Sequence, residues 1–158
     1  MKPLLREETE VWINLHEMFR PLQKMSGFIW ASERSGFRHL SIYDWQGKLL
    51  RQLTAGSDWV VEDIVGVDEE NGYVYCMGNK GNWLDRHLFA VSLWGDVPEP
   101  RKITSQPGMH NVVMDKACTK FVDSYTSTQH PLRMEIRNLA DGKLIRQLFE
   151  SKDPEGAK

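Results

Sequence analysis

The sequence predicts an all-β chain of about three four-stranded antiparallel sheets, and two repeated patterns support this prediction. The run HLSIYD at 39–44 returns twice, as HLFAVS at 87–92 and more loosely as RMEIRN at 133–138. The run RQLT that begins at Arg51 also returns twice, as RKIT at Arg101 and as RQLF at Arg146. The copies lie 45 to 50 residues apart with only strand-like segments between them. This spacing is typical of the blades of a β-propeller.

Composition places the chain among ordinary globular proteins. It has 158 residues, 41% of them hydrophobic and 27% charged, and a formal net charge of −2. Because nucleic-acid backbones are bound by clustered Lys and Arg, the balanced charge argues against a nucleic-acid partner. No apolar run approaches the roughly 20 residues that span a bilayer. The opening MKPLLREETE lacks the apolar core of a signal peptide, which leaves the cytoplasm and the periplasm both open.

The two cysteines, Cys76 and Cys118, lie 42 residues apart. Two residues at this spacing form neither a disulfide framework nor a set of metal ligands. We expect both to be small buried hydrophobic residues, and we predict no metal and no cofactor.

Residues 1–26 are predicted to hold the end of a preceding blade and a connection. Alternating apolar residues over 11–15 predict a half-buried strand within 2–15. Residues 16–26 show no periodicity, and Pro21 would interrupt a ladder of backbone hydrogen bonds. This stretch is therefore interpreted as the connection between two blades.

The rest of the chain divides into three blades and a tail. Blade one is 27–56, blade two is 57–106 and blade three is 107–150, with a linker or frayed tail at 151–158. Glycine-containing turns such as Ser35-Gly36 and Asp141-Gly142 separate the strands, because Gly readily adopts positive φ. The predicted strands are 28–32, 38–44 and 48–54 in blade one, 59–67, 73–77, 86–93 and 100–104 in blade two, and 110–114, 120–127, 133–139 and 143–149 in blade three.

Several longer stretches carry a family resemblance. They are SERSGFRHL at 32–40, LTAGSDWVV at 53–61 and FVDSYTST at 121–128. In combination, and with the order of the segments around them, they resemble the propeller of the dipeptidyl peptidase IV family of serine exopeptidases, including its dipeptidyl peptidase 8/9-like branch. The resemblance extends over nearly the whole chain, from Leu4 to Leu148.

The resemblance implies that the chain is the last part of an eight-bladed amino-terminal propeller that precedes an α/β-hydrolase domain. Its implied role is to gate access of the peptide substrate and to form part of the pocket wall during release of amino-terminal dipeptides. The nucleophile elbow G-x-S-x-G is absent from this sequence. The chain alone is therefore not expected to cleave peptides, whereas its parent is expected to be a serine dipeptidyl aminopeptidase.

The resemblance also implies one substrate contact, at Phe19 and Arg20. In the family, the Phe-Arg of such an F-R-P stretch approaches the bound peptide, where Arg offers donors to carbonyls and Phe an apolar wall. The alternative is that this arginine pairs with nearby acids and the phenylalanine packs on blade one. The pairs Glu7-Glu8 and Glu69-Glu70 lie outside the context in which the family's paired glutamates hold the substrate amino terminus, and no such role is assigned to them.

Other conspicuous residues are interpreted as structural. His39 and His87 recur at matched positions of the repeat, so a shared hydrogen bond between turn and strand is expected rather than catalysis. Five tryptophans are expected to pack within the blades rather than to form a platform for sugars or bases: Trp30, Trp45, Trp59, Trp83 and Trp94.

A second reading of the chain is a stand-alone propeller-like module that binds proteins and has no peptidase activity. The two are distinguished by whether the reading frame continues past Lys158 into an α/β pattern with G-x-S-x-G. Stacked sheets leave their two outermost faces without neighbours. We therefore expect the isolated chain to self-associate, as a dimer that stacks like faces or exchanges the amino-terminal strand.

Overall fold

The computed structural model describes Pro3, Leu5 and residues 18–95 and 97–152 of the chain. Within these residues it contains three four-stranded antiparallel sheets, which confirms the predicted all-β fold of partial propeller blades. The first sheet comprises β1 (Phe19–Leu22), β2 (Gly27–Ser32), β3 (His39–Tyr43) and β4 (Leu49–Gln52). The second comprises β5 (Val61–Asp68), β6 (Tyr73–Gly78), β7 (His87–Ser92) and β8 (Arg101–Lys102). The third comprises β9 (Met109–Met114), β10 (Lys120–Thr126), β11 (Arg133–Asn138) and β12 (Leu144–Glu150).

The repeats seen in the sequence occupy equivalent places in the three sheets. HLSIYD, HLFAVS and RMEIRN supply the third strands β3, β7 and β11, and the runs that begin at Arg51, Arg101 and Arg146 lie in the fourth strands. In each sheet the strands follow one another in chain order. The described part of the chain holds no helix long and apolar enough to cross a bilayer.

Strand β1 corrects one prediction. Residues 16–26 were interpreted as a connection, but Phe19–Leu22 forms a strand that pairs with β2 from Phe19 opposite Trp30 to Leu22 opposite Gly27. Pro21 is tolerated because β1 is an edge strand, and a missing N–H on its open side breaks no ladder bond. This strand belongs to the first sheet, and the blade boundaries stay a prediction. The strand predicted within 2–15 lies outside the described residues, apart from Pro3 and Leu5.

Two seams join the three sheets. In the seam between the first and second sheets, apolar side chains from both meet around Trp59, which is fully buried. In the seam between the second and third sheets, the core includes Met77, Leu88 and Phe121. The second sheet thus contributes one face to each seam, which explains why β6 and β7 are buried almost throughout.

His39 and His87 have the shared structural role that their matched positions predict. The Nδ1 atom of His39 lies 3.0 Å from Thr54 Oγ1, and that of His87 lies 2.9 Å from Thr104 Oγ1. Each threonine oxygen also accepts the backbone N–H of the residue after the histidine, at 2.8 and 3.0 Å. These bonds fasten the residues that follow the fourth strand to the start of the third strand in the first two sheets.

Candidate functional site

The predicted contact residues Phe19 and Arg20 lie next to each other in β1, so their side chains leave opposite faces of the first sheet. Phe19 lies opposite Trp30 on the face turned away from the second sheet. Its ring packs 5.2 Å from that of Phe28, and 40% of the residue is exposed. The phenylalanine thus offers an apolar surface at the beginning of β1.

Arg20 lies opposite Ile29, whose side chain belongs to the seam with the second sheet. Its Nη2 donates to the backbone oxygen of Ile64 in β5 at 3.2 Å, and its Nη1 donates to the oxygen of Phe19 at 2.9 Å. The guanidinium therefore joins the first strands of two blades. His16 and Glu17, the other residues beside this stretch in sequence, lie outside the described part of the chain.

A cavity of about 530 Å³ opens between the second and third sheets. It lies beside the start of β9, the counterpart of β1, so it is at the same end of the sheets as Phe19. Asp85 shapes the cavity, because its carboxylate accepts hydrogen bonds from Gly108 N and Asn82 Nδ2, both at 3.1 Å. The lining is completed by Leu84, Pro107, Met109 and residues 126–128.

The loop between β6 and β7 exposes apolar side chains at this end of the molecule. Trp83 is 58% exposed and Leu84 is 82% exposed, and the Trp83 ring lies 6.4 Å from that of Phe37. The prediction that the tryptophans pack within the blades holds for Trp59 and only in part for Trp30, which is partly buried, and Trp45, which is 38% exposed. It is wrong for Trp83 and for Trp94, which is 55% exposed. These two occupy loops after strands, where alternation along a strand no longer dictates burial.

A buried polar cluster in the second seam escaped the sequence analysis. His110 and Asp123 are 2% and 1% exposed, and the His110 Nδ1 lies 2.8 Å from a carboxylate oxygen of Asp123. The other ring nitrogen lies 2.6 Å from the backbone oxygen of Gln106. The His110 ring thus joins the side chain of Asp123 to the backbone that precedes β9.

His87 lies beside this cluster, with its ring centre 5.0 Å from that of His110. Its Nε2 is buried without a hydrogen-bond partner among the described residues, and Asp85 Oδ2 is 3.7 Å away. Burial lowers the pKa of His87 to about 4, and the positive charges of Lys102 and His110 act in the same direction, against the opposing effect of Asp85. His87 is therefore neutral where an exposed histidine begins to protonate.

The remaining residues weighed from the sequence have structural surroundings. Cys76 is buried as predicted, and burial raises its pKa to about 12, whereas Cys118 is only partly buried. Burial opposes ionisation of Glu69, but its carboxylate accepts the N–H groups of Gln23, Lys24 and Met25, which lower its pKa. Glu69 thus fastens the second sheet to the turn after β1. No group of three or more His, Cys, Asp and Glu able to hold a metal occurs among the described residues.

Comparison with known proteins finds one family model and several relatives. The model of the dipeptidyl peptidase IV N-terminal region matches residues 1–132. The probable dipeptidyl peptidase 4 of Aspergillus flavus is 33% identical over 93 residues, which are 55% of this chain and 12% of that protein. The probable dipeptidyl-aminopeptidase B of Neosartorya fischeri is 28% identical over 118 residues, which are 73% of this chain and 13% of that protein.

A solved structure shows the same fold. The crystal structure of Porphyromonas gingivalis dipeptidyl peptidase 4 superposes with a TM-score of 0.74 at 23% identity, over 84% of this chain and 18% of that one. The chain thus spans about an eighth of the length of these curated relatives.

The low pKa of His87 predicts a pH-dependent stability. A histidine in the unfolded chain titrates near 6.5. Between that pH and about 4, residue 87 therefore binds a proton in the unfolded chain but not in the native chain. The free energy of unfolding should therefore fall as the pH is lowered through this window, by on the order of 3 kcal/mol from this group. At higher pH, His87 should make no pH-dependent contribution to the free energy of unfolding. Urea unfolding at a series of pH values measures this change.

The contribution of His87 is isolated by substitution. His87→Gln should flatten the pH dependence in this window, whereas His130→Gln, at an exposed position, should leave it as in the wild type. Equal slopes for the wild type and His87→Gln would contradict the assignment.

Proposed function

Because the chain belongs to the dipeptidyl peptidase IV N-terminal region family, we propose that its blades gate access of peptides to a serine exopeptidase active site. They would form part of the wall of the pocket from which amino-terminal dipeptides are released. The observation that carries the proposal is the family match over residues 1–132. The three four-stranded antiparallel sheets are consistent with it, because propeller blades have this architecture.

The proposal requires a catalytic partner outside these residues. An α/β-hydrolase domain that follows the propeller in the same polypeptide would supply the nucleophile, its base and the oxyanion hole. The fold and the length of the relatives support this arrangement, since the chain covers 12% and 13% of two of them.

The reading frame provides the first test. Sequencing the DNA on both sides of the segment should show an open frame that continues beyond residue 158 into an α/β pattern with G-x-S-x-G. A stop codon directly after Lys158 in the genomic DNA would contradict the proposal and favour the stand-alone interaction module.

For substrate contact the proposal assigns Phe19 and Arg20. Phe19 presents a partly exposed ring at the beginning of β1, and such a ring suits an apolar side chain of a peptide. Arg20 already donates to two backbone carbonyl oxygens. A bound peptide offers acceptors of the same kind, and a guanidinium carries five N–H donors.

Arg20→Ala in the full-length parent should raise KM more than it lowers kcat. The reason is that the proposed bonds hold the peptide equally in the ground state and in the transition state. Loss of a hydrogen bond from a charged group predicts a rise in KM of about tenfold. Steady-state kinetics with a dipeptidyl chromogenic substrate measures both constants.

The matched control is Arg101→Ala. Arg101 also donates across a seam, to the backbone oxygen of Ala140 at 3.0 Å, but it lies in the fourth strand of its sheet, at the edge opposite to the first strand, whereas Arg20 lies in a first strand. If loss of a bond between blades were the cause of the kinetic change, both variants would raise KM alike. An unchanged KM in Arg20→Ala would remove Arg20 from the substrate site.

The isolated chain is proposed to self-associate. The outward face of the third sheet carries apolar side chains that are open to solvent, with Val113 69% and Phe149 48% exposed, and exposed apolar area favours association. Light scattering across a dilution series should show a dimer that dissociates on dilution. A monodisperse monomer at millimolar concentration would contradict the proposal.

A further inference from the structure

Two matched arginines make the same bond across the two seams. Arg51 in β4 donates from Nη1 to the backbone oxygen of Leu93 at 2.7 Å, and Arg101 in β8 donates from Nη1 to that of Ala140 at 3.0 Å. Each acceptor is the first or second residue after the third strand of the neighbouring sheet. The last strand of each of the first two sheets is thus fastened to the end of the third strand in the next sheet.

Arg146 is the third member of this series. It lies in β12 opposite Ile136, just as the other two arginines lie opposite Ile42 and Ala90. Those two residues face the next sheet, so Arg146 is on the corresponding face of the third sheet. It is exposed, and its side chain makes no hydrogen bond or ion pair with any described residue.

The face that carries Arg146 has the pattern of a covered face. In the first two sheets, the central positions of this face are at most 6% exposed: Ile29, Ala31, Leu40 and Ile42, and then Tyr75, Met77, Leu88 and Ala90. The register of β10 and β11 makes their counterparts Val122, Ser124, Met134 and Ile136, and all four are only half-buried. Val113 in β9 lies opposite Val122, and Phe149 in β12 lies opposite Met134, so the open face extends to both edge strands of the sheet.

The propeller of the proposed function would cover this outward face with a further four-stranded blade, and we propose that Arg146 sets the position of that blade. Arg146 would donate to the backbone oxygen of the first or second residue after the third strand of the incoming blade. The proposal rests on the proposed function, because it places the incoming blade in the longer polypeptide of a propeller peptidase.

Two observations favour a blade as the occupant. In both seams an apolar face is accompanied by an arginine of the fourth strand that donates to a backbone oxygen of the next sheet, so a third seam would continue an arrangement that already exists twice. A second copy of the chain that stacked in the same order, first sheet on third sheet, would need an open face on its first sheet. That face is closed at Phe28 and Tyr43, which are 2% and 4% exposed.

The test compares Arg146→Met in two contexts. In the full-length parent, Arg146→Met should lower the Tm by about 3 °C, as Arg101→Met does, because each removes one guanidinium–carbonyl bond between blades. In the 158-residue chain, diluted until light scattering shows a monomer, Arg101→Met should lower the Tm while Arg146→Met leaves it unchanged. Lys143→Met is the matched control, since Lys143 lies before the same strand with 82% of its side chain exposed, and it should be neutral in both contexts.

Each other outcome overturns the inference. A neutral Arg146→Met in the parent would show that no carbonyl receives this guanidinium. A loss of Tm in the monomeric chain would show that its acceptor lies within the chain, and a change in the oligomeric state of the parent would identify a second copy as the occupant. Peptidase turnover is measured on the same samples, so that an inactive parent with the expected Tm pattern counts against the proposed function and leaves the inference standing.

Discussion

The structure depends on one constraint: a sheet that is apolar on both faces is stable only between two neighbours. The second sheet meets this requirement, because Val74, Cys76 and Val91 enter the first seam while Met77 and Leu88 enter the second. Full burial of each large apolar side chain contributes about 1.5–3 kcal/mol, so the middle sheet is the most stabilised part of the stack. The same requirement is unmet on the outward face of the third sheet, where matched positions remain partly exposed.

The two seams satisfy this constraint with different chemistry. The first is apolar around Trp59, whereas the second encloses the hydrogen-bonded side chains of His110 and Asp123 next to the neutral His87. Burial of polar side chains costs free energy unless hydrogen bonds satisfy their polar atoms. Here the carbonyl of Gln106 completes the bonding of His110. The second seam therefore requires one arrangement of its polar groups, while the first is stabilised mainly by the burial of complementary apolar surfaces.

Most of the fold could be predicted because it repeats. Three copies of a third strand and three of a fourth strand determined the blades, and alternation within them located the strands to within about two residues. Strand β1 was missed because Pro21 suggests a break, and only its position at the edge of the sheet makes the proline harmless. The pair of His110 and Asp123 was also missed. Alternation places both on one face, but their contact depends on the pairing of β9 with β10, which no local pattern states.

The candidate site shows what a family motif leaves open. The sequence F-R-P identifies Phe19 and Arg20, but two consecutive residues of a strand project to opposite faces, so a common substrate would have to reach both around the end of β1. Arg20 is held by the backbone oxygens of Phe19 and Ile64. A long side chain loses conformational freedom when it binds, and that loss weakens affinity. Because the fold already orders this guanidinium, a peptide carbonyl that reached it would bind a pre-oriented donor, and the structural role of Arg20 would then be the physical basis of its role in binding.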